Sequence, residues 1–230
     1  MRRKILFVLA IIFLAFILQT CAQKPEQGLL KRYFHAVSLS DMDTMSSMAL
    51  EPISLEVESW EIVGDSEDMV VPANLPLLNK QELEFKKKLE DHVGVTLDAR
   101  DRLDEAEFKL ENARTREARR AAQQEVDELK IKYEEVYTEH KDLQKNYNEA
   151  KAASAREEEI TSFSLGERDL ANIRDLTGDV TSKEVDVKIM TKAGDEKTYR
   201  FYLRNYNLKD ETLGINRRGR WIIVNFEPLS

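Results

Sequence analysis

Three histidines and one cysteine are the scarce chemistry-bearing residues of this 230-residue chain. His35, His92 and His140 fall in different stretches, so neither a metal cluster nor a catalytic base is indicated. His35 lies beside a helical apolar face, His92 reads as a solvated helix residue, and His140 reads as the polar position that fixes register in a helical seam. Cys21 stands alone, which excludes an internal disulfide and a cysteine-built zinc site. A Gly-rich phosphate loop, G-x-S-x-G, H-E-x-x-H and calcium-loop spacing are all missing. No catalytic residue, metal or cofactor is therefore assigned. Two other groups could recognise something. Trp60, Tyr199, Phe201 and Trp221, with Tyr202, could line a ligand pocket, although strand aromatics more often form core. Arg114, Arg116, Arg119 and Arg120, partly offset by Glu117, are the densest basic cluster after the leader. They could meet lipid headgroups or an acidic partner, or simply solvate a turn.

The arginines sit in the middle of the stretch that organises the chain. Residues 79–159 hold one glycine, Gly94, and no proline, with dense alternating charge. Val126, Leu129, Tyr133, Val136, His140, Leu143, Tyr147 and Ala150 follow alternating spacings of three and four, the seam of a heptad repeat. A shorter run, Leu103, Ala106, Leu110 and Ala113, is out of phase with it. Between the runs Asn112 can end one helix, and Thr115 can cap the next with Glu117 in its first turn. This predicts a coiled-coil hairpin over residues 79–160, with arms of about 50 and 68 Å at 1.5 Å per residue. The alternative is one helix of about 120 Å closing its seam against a second copy, a homodimer.

Arg2, Arg3 and Lys4 precede fourteen apolar residues, 5–18, and then Cys21. This basic start and short apolar core suit a targeting segment over residues 1–20. The end of the run resembles the lipobox of bacterial lipoproteins, with Thr20 where a smaller residue is usual. That resemblance implies lipidation of Cys21; an uncleaved anchor and an ordinary signal peptide cut after Ala22 are the alternatives. All three export the remainder to a bacterial cell envelope, anchored to membrane in the first two. Loss of the three leader charges would take the net charge from −8 to −11, an acidic balance that argues against nucleic acid.

Residues 29–37 carry an apolar helical face. Ser40 is a plausible cap for a second short helix that Pro52 stops. Residues 53–63 read as a strand, 65–79 as a proline-containing linker, and the last fifty residues as a β-meander with a hairpin turn at 192–195. Arg32-Tyr-Phe-His-Ala36, the acidic turn at Asp41-Met-Asp-Thr-Met45 and the closing Gly219-Arg-Trp-Ile-Ile223 resemble the NTF2-like domains. The resemblance covers about 85 residues, within 25–63 and 179–226. It implies an α+β cone: a curved antiparallel sheet with N-terminal helices in its concave face, built from residues 25–63 and 161–230, with the hairpin inserted after the first strand. Enzymes of that family use a polar group on the concave face, and no position here matches such a residue.

Three functions compete. One is a membrane-tethered, non-enzymatic scaffold whose hairpin meets envelope proteins. Another is a small-ligand binder or enzyme with an NTF2-like pocket. The third is a periplasmic adaptor, which the chain departs from in lacking paired lipoyl halves.

Overall fold

A computed structural model describes residues 24–167 and 170–229. The leader and Cys21 lie outside the described residues. Among the described residues, no helix is long and apolar enough to cross a membrane.

The chain is α+β, with a curled antiparallel sheet and two long helices. Helix α1 (Pro25–Ser38) opens on a proline and turns Leu29, Leu30, Tyr33, Phe34 and Val37 inward. Helix α2 (Met42–Ser46) is capped by Asp41, whose carboxylate accepts the Thr44 N–H. The cap is therefore Asp41 rather than Ser40, which sits at φ 55° in the turn before it.

Strand β1 (Val57–Asp65) starts four residues later than the apolar pattern suggests, because the Ile53 N–H donates to the buried Tyr33 hydroxyl instead of joining a ladder. The proline-containing linker is also more ordered than its composition implies. It holds strand β2 (Met69–Pro72) and the start of helix α3 (Leu75–Asn112), with Pro72 ending the strand and Pro76 in the first helical turn, where its missing N–H costs nothing. Helix α4 (Arg116–Leu165) returns and ends on Gly166 in the left-handed region. A 3₁₀ turn (Ile173–Asp175) leads to β3 (Thr177–Thr191), β4 (Glu196–Asp210), β5 (Ile215–Arg218) and β6 (Ile222–Pro228).

Strands β3 and β4 form the spine, paired from Thr177↔Lys209 to Met190↔Glu196. β1 and β2 lie end to end along β3, and β5 and β6 end to end along β4. Each edge of the spine is thus covered by two short strands.

Side chains alternate across the sheet, so Val185, Val187 and Ile189 lie on one face and Val180 on the other. The first face takes α1 and α2, burying Tyr33, Phe34, Met45 and Phe201. The second face, near Val180, Tyr206 and Leu208, takes the root of the long hairpin through Leu75, Ile160 and Leu176. Two cores on opposite faces therefore share one sheet.

Candidate functional site

The hairpin supplies the features that face outward. Its arms are antiparallel, as cross-arm pairs show: Glu82 with Ser154 near the root, His92 with His140, and Lys109 with Glu125 near the tip. At 1.5 Å per residue, the 38 residues of α3 and 50 of α4 span about 57 and 75 Å.

The seam runs further than its apolar residues suggest. Among the less exposed positions of α3 and its C-cap, Leu75, Leu78, Glu82, Phe85, Leu89, His92, Thr96, Ala99, Leu103, Ala106, Leu110 and Ala113 form an unbroken three-four repeat. Glu82, His92 and Thr96 interrupt its hydrophobicity, which hides the first half of it from a pattern search. His92 is consequently no solvated residue. Its side chain is 11 % exposed and its ring stacks on His140, with centroids 5.8 Å apart. His92 Nδ1 shares a hydrogen bond with the Thr96 hydroxyl, and its Nε2 lies 3.4 Å from Glu139. His140 Nδ1 is buried with no partner. Two histidines that sequence separates are thus adjacent, yet no group of three metal-ligating side chains occurs among the described residues. His35 is exposed on α1.

Charged layers fasten the root of the hairpin to the sheet. Arg174 bridges Glu158 at 2.7 Å and Glu82 at 2.8 Å, joining both arms to the 3₁₀ turn. The Glu157 carboxylate accepts from the Tyr206 hydroxyl at 2.7 Å and pairs with Arg204 at 3.1 Å. Burial, then the Glu157 charge, hold the Tyr206 phenol well above its ordinary range.

At the base of α1, the Lys183 ammonium meets Glu26 at 2.8 Å, Asp68 at 3.0 Å and Asp65 at 3.3 Å, and Lys24 adds a second cation on Asp65. Burial alone would depress the Lys183 ammonium. Its bonds to Glu26, Asp68 and Asp65 outweigh that and hold it above the ordinary lysine range. Hydrogen bonds from Lys24 and Lys183 hold Asp65 below the ordinary carboxylate range.

The aromatic candidates do not come together around an opening. Phe201 is fully buried, Trp60 stacks on Phe34 with centroids 4.7 Å apart, and Tyr199 and Trp221 pack against the same core. The sheet face that carries them is covered by α1 side chains, Tyr33 and Phe34 among them. An open groove of about 900 Å³ lies elsewhere, between α4 and the second face of the sheet, lined by Leu78, Arg156, Ile160, Tyr202 and Arg204. None of Trp60, Tyr199, Phe201 and Trp221 lines it.

The four arginines do converge, at the tip. The Asn112 amide donates to the Phe108 carbonyl at 2.8 Å and closes α3; the Thr115 hydroxyl accepts the Ala118 N–H at 3.1 Å and opens α4. Arg114, Arg116, Arg119 and Arg120 are all exposed, and none forms an ion pair with another described residue.

Searches with this chain matched no protein-family model, no curated protein and no solved structure.

Proposed function

We propose that the chain is a membrane-tethered, non-enzymatic envelope protein that uses its projecting coiled-coil hairpin to meet partner proteins. One observation carries the reading: past the root layer at Glu82 the arms extend on the order of 45 Å, 30 residues to Asn112, beyond a sheet covered by core on one face and by the hairpin root on the other. Exposed apolar side chains, including Leu83, Leu97, Phe108 and Ile131, lie along the arms. The tether is a lipid on Cys21, and the domain that carries the hairpin is a divergent NTF2-like cone with the hairpin inserted among its strands.

The test is site-specific photo-crosslinking in intact cells. A photoreactive residue at Leu97 or Ile131 should yield one discrete adduct. The same residue at Lys192 or Lys197, exposed on the sheet's turn, should yield none. Equal adducts at both sets, or none at the arms, would overturn the reading. Metabolic labelling with a lipid precursor tests the tether separately: Cys21→Ser should abolish it.

A second reading is supported by the groove beside α4. Its volume suits a small ligand, with Arg156 at its wall and Leu78 and Ile160 among its apolar lining.

A further inference from the structure

The hairpin's charges are sorted along its length. On the shafts acidic side chains outnumber cations, and some of the cations pair with acids four residues on: Lys80 with Glu84, Lys86 with Glu90, Arg100 with Asp104, and Lys145 with Glu149. Lys109 is held between Glu105 and Glu125. At the tip the excess reverses sign. Residues 109–124 contain five basic and two acidic side chains, bounded by Asp104, Glu105 and Glu107 on one arm and Glu125, Asp127 and Glu128 on the other. In a chain of net charge −8, this is a positive end on an otherwise acidic rod, whose remaining residues, 75–108 and 125–165, carry 12 basic and 20 acidic side chains.

Two further features share that end. The first N–H groups of α4 point out of it and add the positive end of a 50-residue helix to the arginines. Phe108, one turn before the close of α3, is 67 % exposed, among the most exposed large apolar side chains of the described residues. An exposed aromatic beside unpaired arginines is the composition that settles at the headgroup level of a bilayer, where the ring reaches the acyl boundary and the guanidinium groups stay among phosphates. The end of a two-helix hairpin is narrow and can approach a flat anionic surface from any azimuth.

We infer that the hairpin tip docks on an anionic bilayer surface through Arg114, Arg116, Arg119, Arg120 and Phe108. The inference goes beyond the reading above. It concerns the far end of the arms, and it stands whether or not Cys21 carries a lipid. If Cys21 does, the protein has two membrane contacts separated by the length of the hairpin.

The experiment uses the full chain with two vesicle populations, one wholly phosphatidylcholine and one containing phosphatidylglycerol at about 30 %, an anionic content that gives a negative surface potential. Binding to the neutral vesicles reports the N-terminal tether. The additional binding to the anionic vesicles reports the tip. Each arginine near such a surface is worth roughly fivefold in affinity, so replacing all four with glutamine should weaken the anionic preference by up to about 600-fold. Raising the salt from about 0.05 to 0.5 M should abolish that preference, since the screening length falls to a few ångströms. Phe108→Ser should weaken binding severalfold with no change in melting temperature. Equal binding of the wild type and the four-glutamine variant to anionic vesicles overturns the proposal, as does an arginine effect seen only on a protein partner. Failure of the tether shows independently, as loss of binding to neutral vesicles.

Discussion

Replacing Lys183 with methionine isolates the most buried charge network in the described structure. The side chains of Lys183 and Glu26 are each 5 % exposed, and the three ammonium protons face three carboxylates, from Glu26, Asp65 and Asp68. Methionine fills much the same volume, so packing is conserved and the charge is removed. Asp65 retains Lys24, and Asp68 retains water, being half exposed. Glu26 retains neither. Breaking a buried pair from one side typically costs about 3–5 kcal/mol, because the survivor stays buried without compensation. Access of the two aspartates to water places the expected cost near about 3 kcal/mol. For a chain of this size that is a fall of about 6–12 °C in melting temperature.

Urea unfolding followed by circular dichroism at pH 7 measures the loss. Adding Glu26→Gln to Lys183→Met should restore more than half of it, since the stranded charge is then gone. The pH profile follows from the signs. Asp65 is depressed when folded, so its contribution is present above the unfolded carboxylate value and lost as pH falls through the depressed one. Lys183 is raised, so its contribution is full below the unfolded lysine value and lost only as pH rises through the folded one. Wild-type stability from this network should therefore be flat between about pH 4 and pH 10 and fall on either side. A Lys183→Met variant within about 0.5 kcal/mol of wild type would refute the reasoning, because the burial of Glu26 would then carry no cost.

Other outcomes are as specific. His140→Leu should raise the melting temperature, since it replaces an imidazole bearing a buried, unpartnered nitrogen with a seam leucine worth about 1 kcal/mol; a fall would show that the His92 stack is itself stabilising. Gly178→Ala should cost about 2–4 kcal/mol, because at φ +135° its Cβ would lie 2.3 Å from the Asn207 carbonyl oxygen in the neighbouring strand. Burial of Tyr33, burial and Glu157 at Tyr206, and the Glu227 hydrogen bond at Tyr202 all raise phenol values. Absorbance at 295 nm should therefore show these three of the seven tyrosines titrating late in the folded chain and normally after unfolding. Spin labels at Asp98 and Glu134 should lie about 10–25 Å apart across the two arms. A separation near 54 Å, the length of 36 residues of continuous helix, would rule the hairpin out.

The hairpin's turn was legible because Asn112 and Thr115 act locally: each satisfies a helix end through its own side chain, and no distant residue is needed. The seam's second half was legible for the same reason, since Val126 through Ala150 keep one phase. Its first half was not, because Glu82 and His92 occupy seam positions for reasons that live on the other arm, in Ser154 and His140. Strand β2 illustrates a different failure. Met69 to Pro72 is too short to show a period, and it is a strand only because Ser182 to Asp179 lie beside it. The aromatic residues were legible as apolar strand positions, but whether such a set encloses space or fills it depends on Tyr33 and Phe34 arriving from α1. The root network of Arg174, Glu82 and Glu158 left no local mark, since its members lie up to 92 positions apart.

The place where the hairpin leaves and rejoins the sheet has a consequence for how such a molecule can change. Pro72 is paired directly with Asp179, so the chain departs and comes back at neighbouring points of one ladder. Everything between is a closed excursion whose length the sheet does not sense. Adding one heptad to each arm would move the tip outward by about 10.5 Å and alter no strand register. The Glu82–Ser154 layer would still mark the root. The arms thus work as a ruler with its zero fixed at Pro72 and Asp179, and the spacing between whatever the two ends of the protein hold can be set by counting heptads alone.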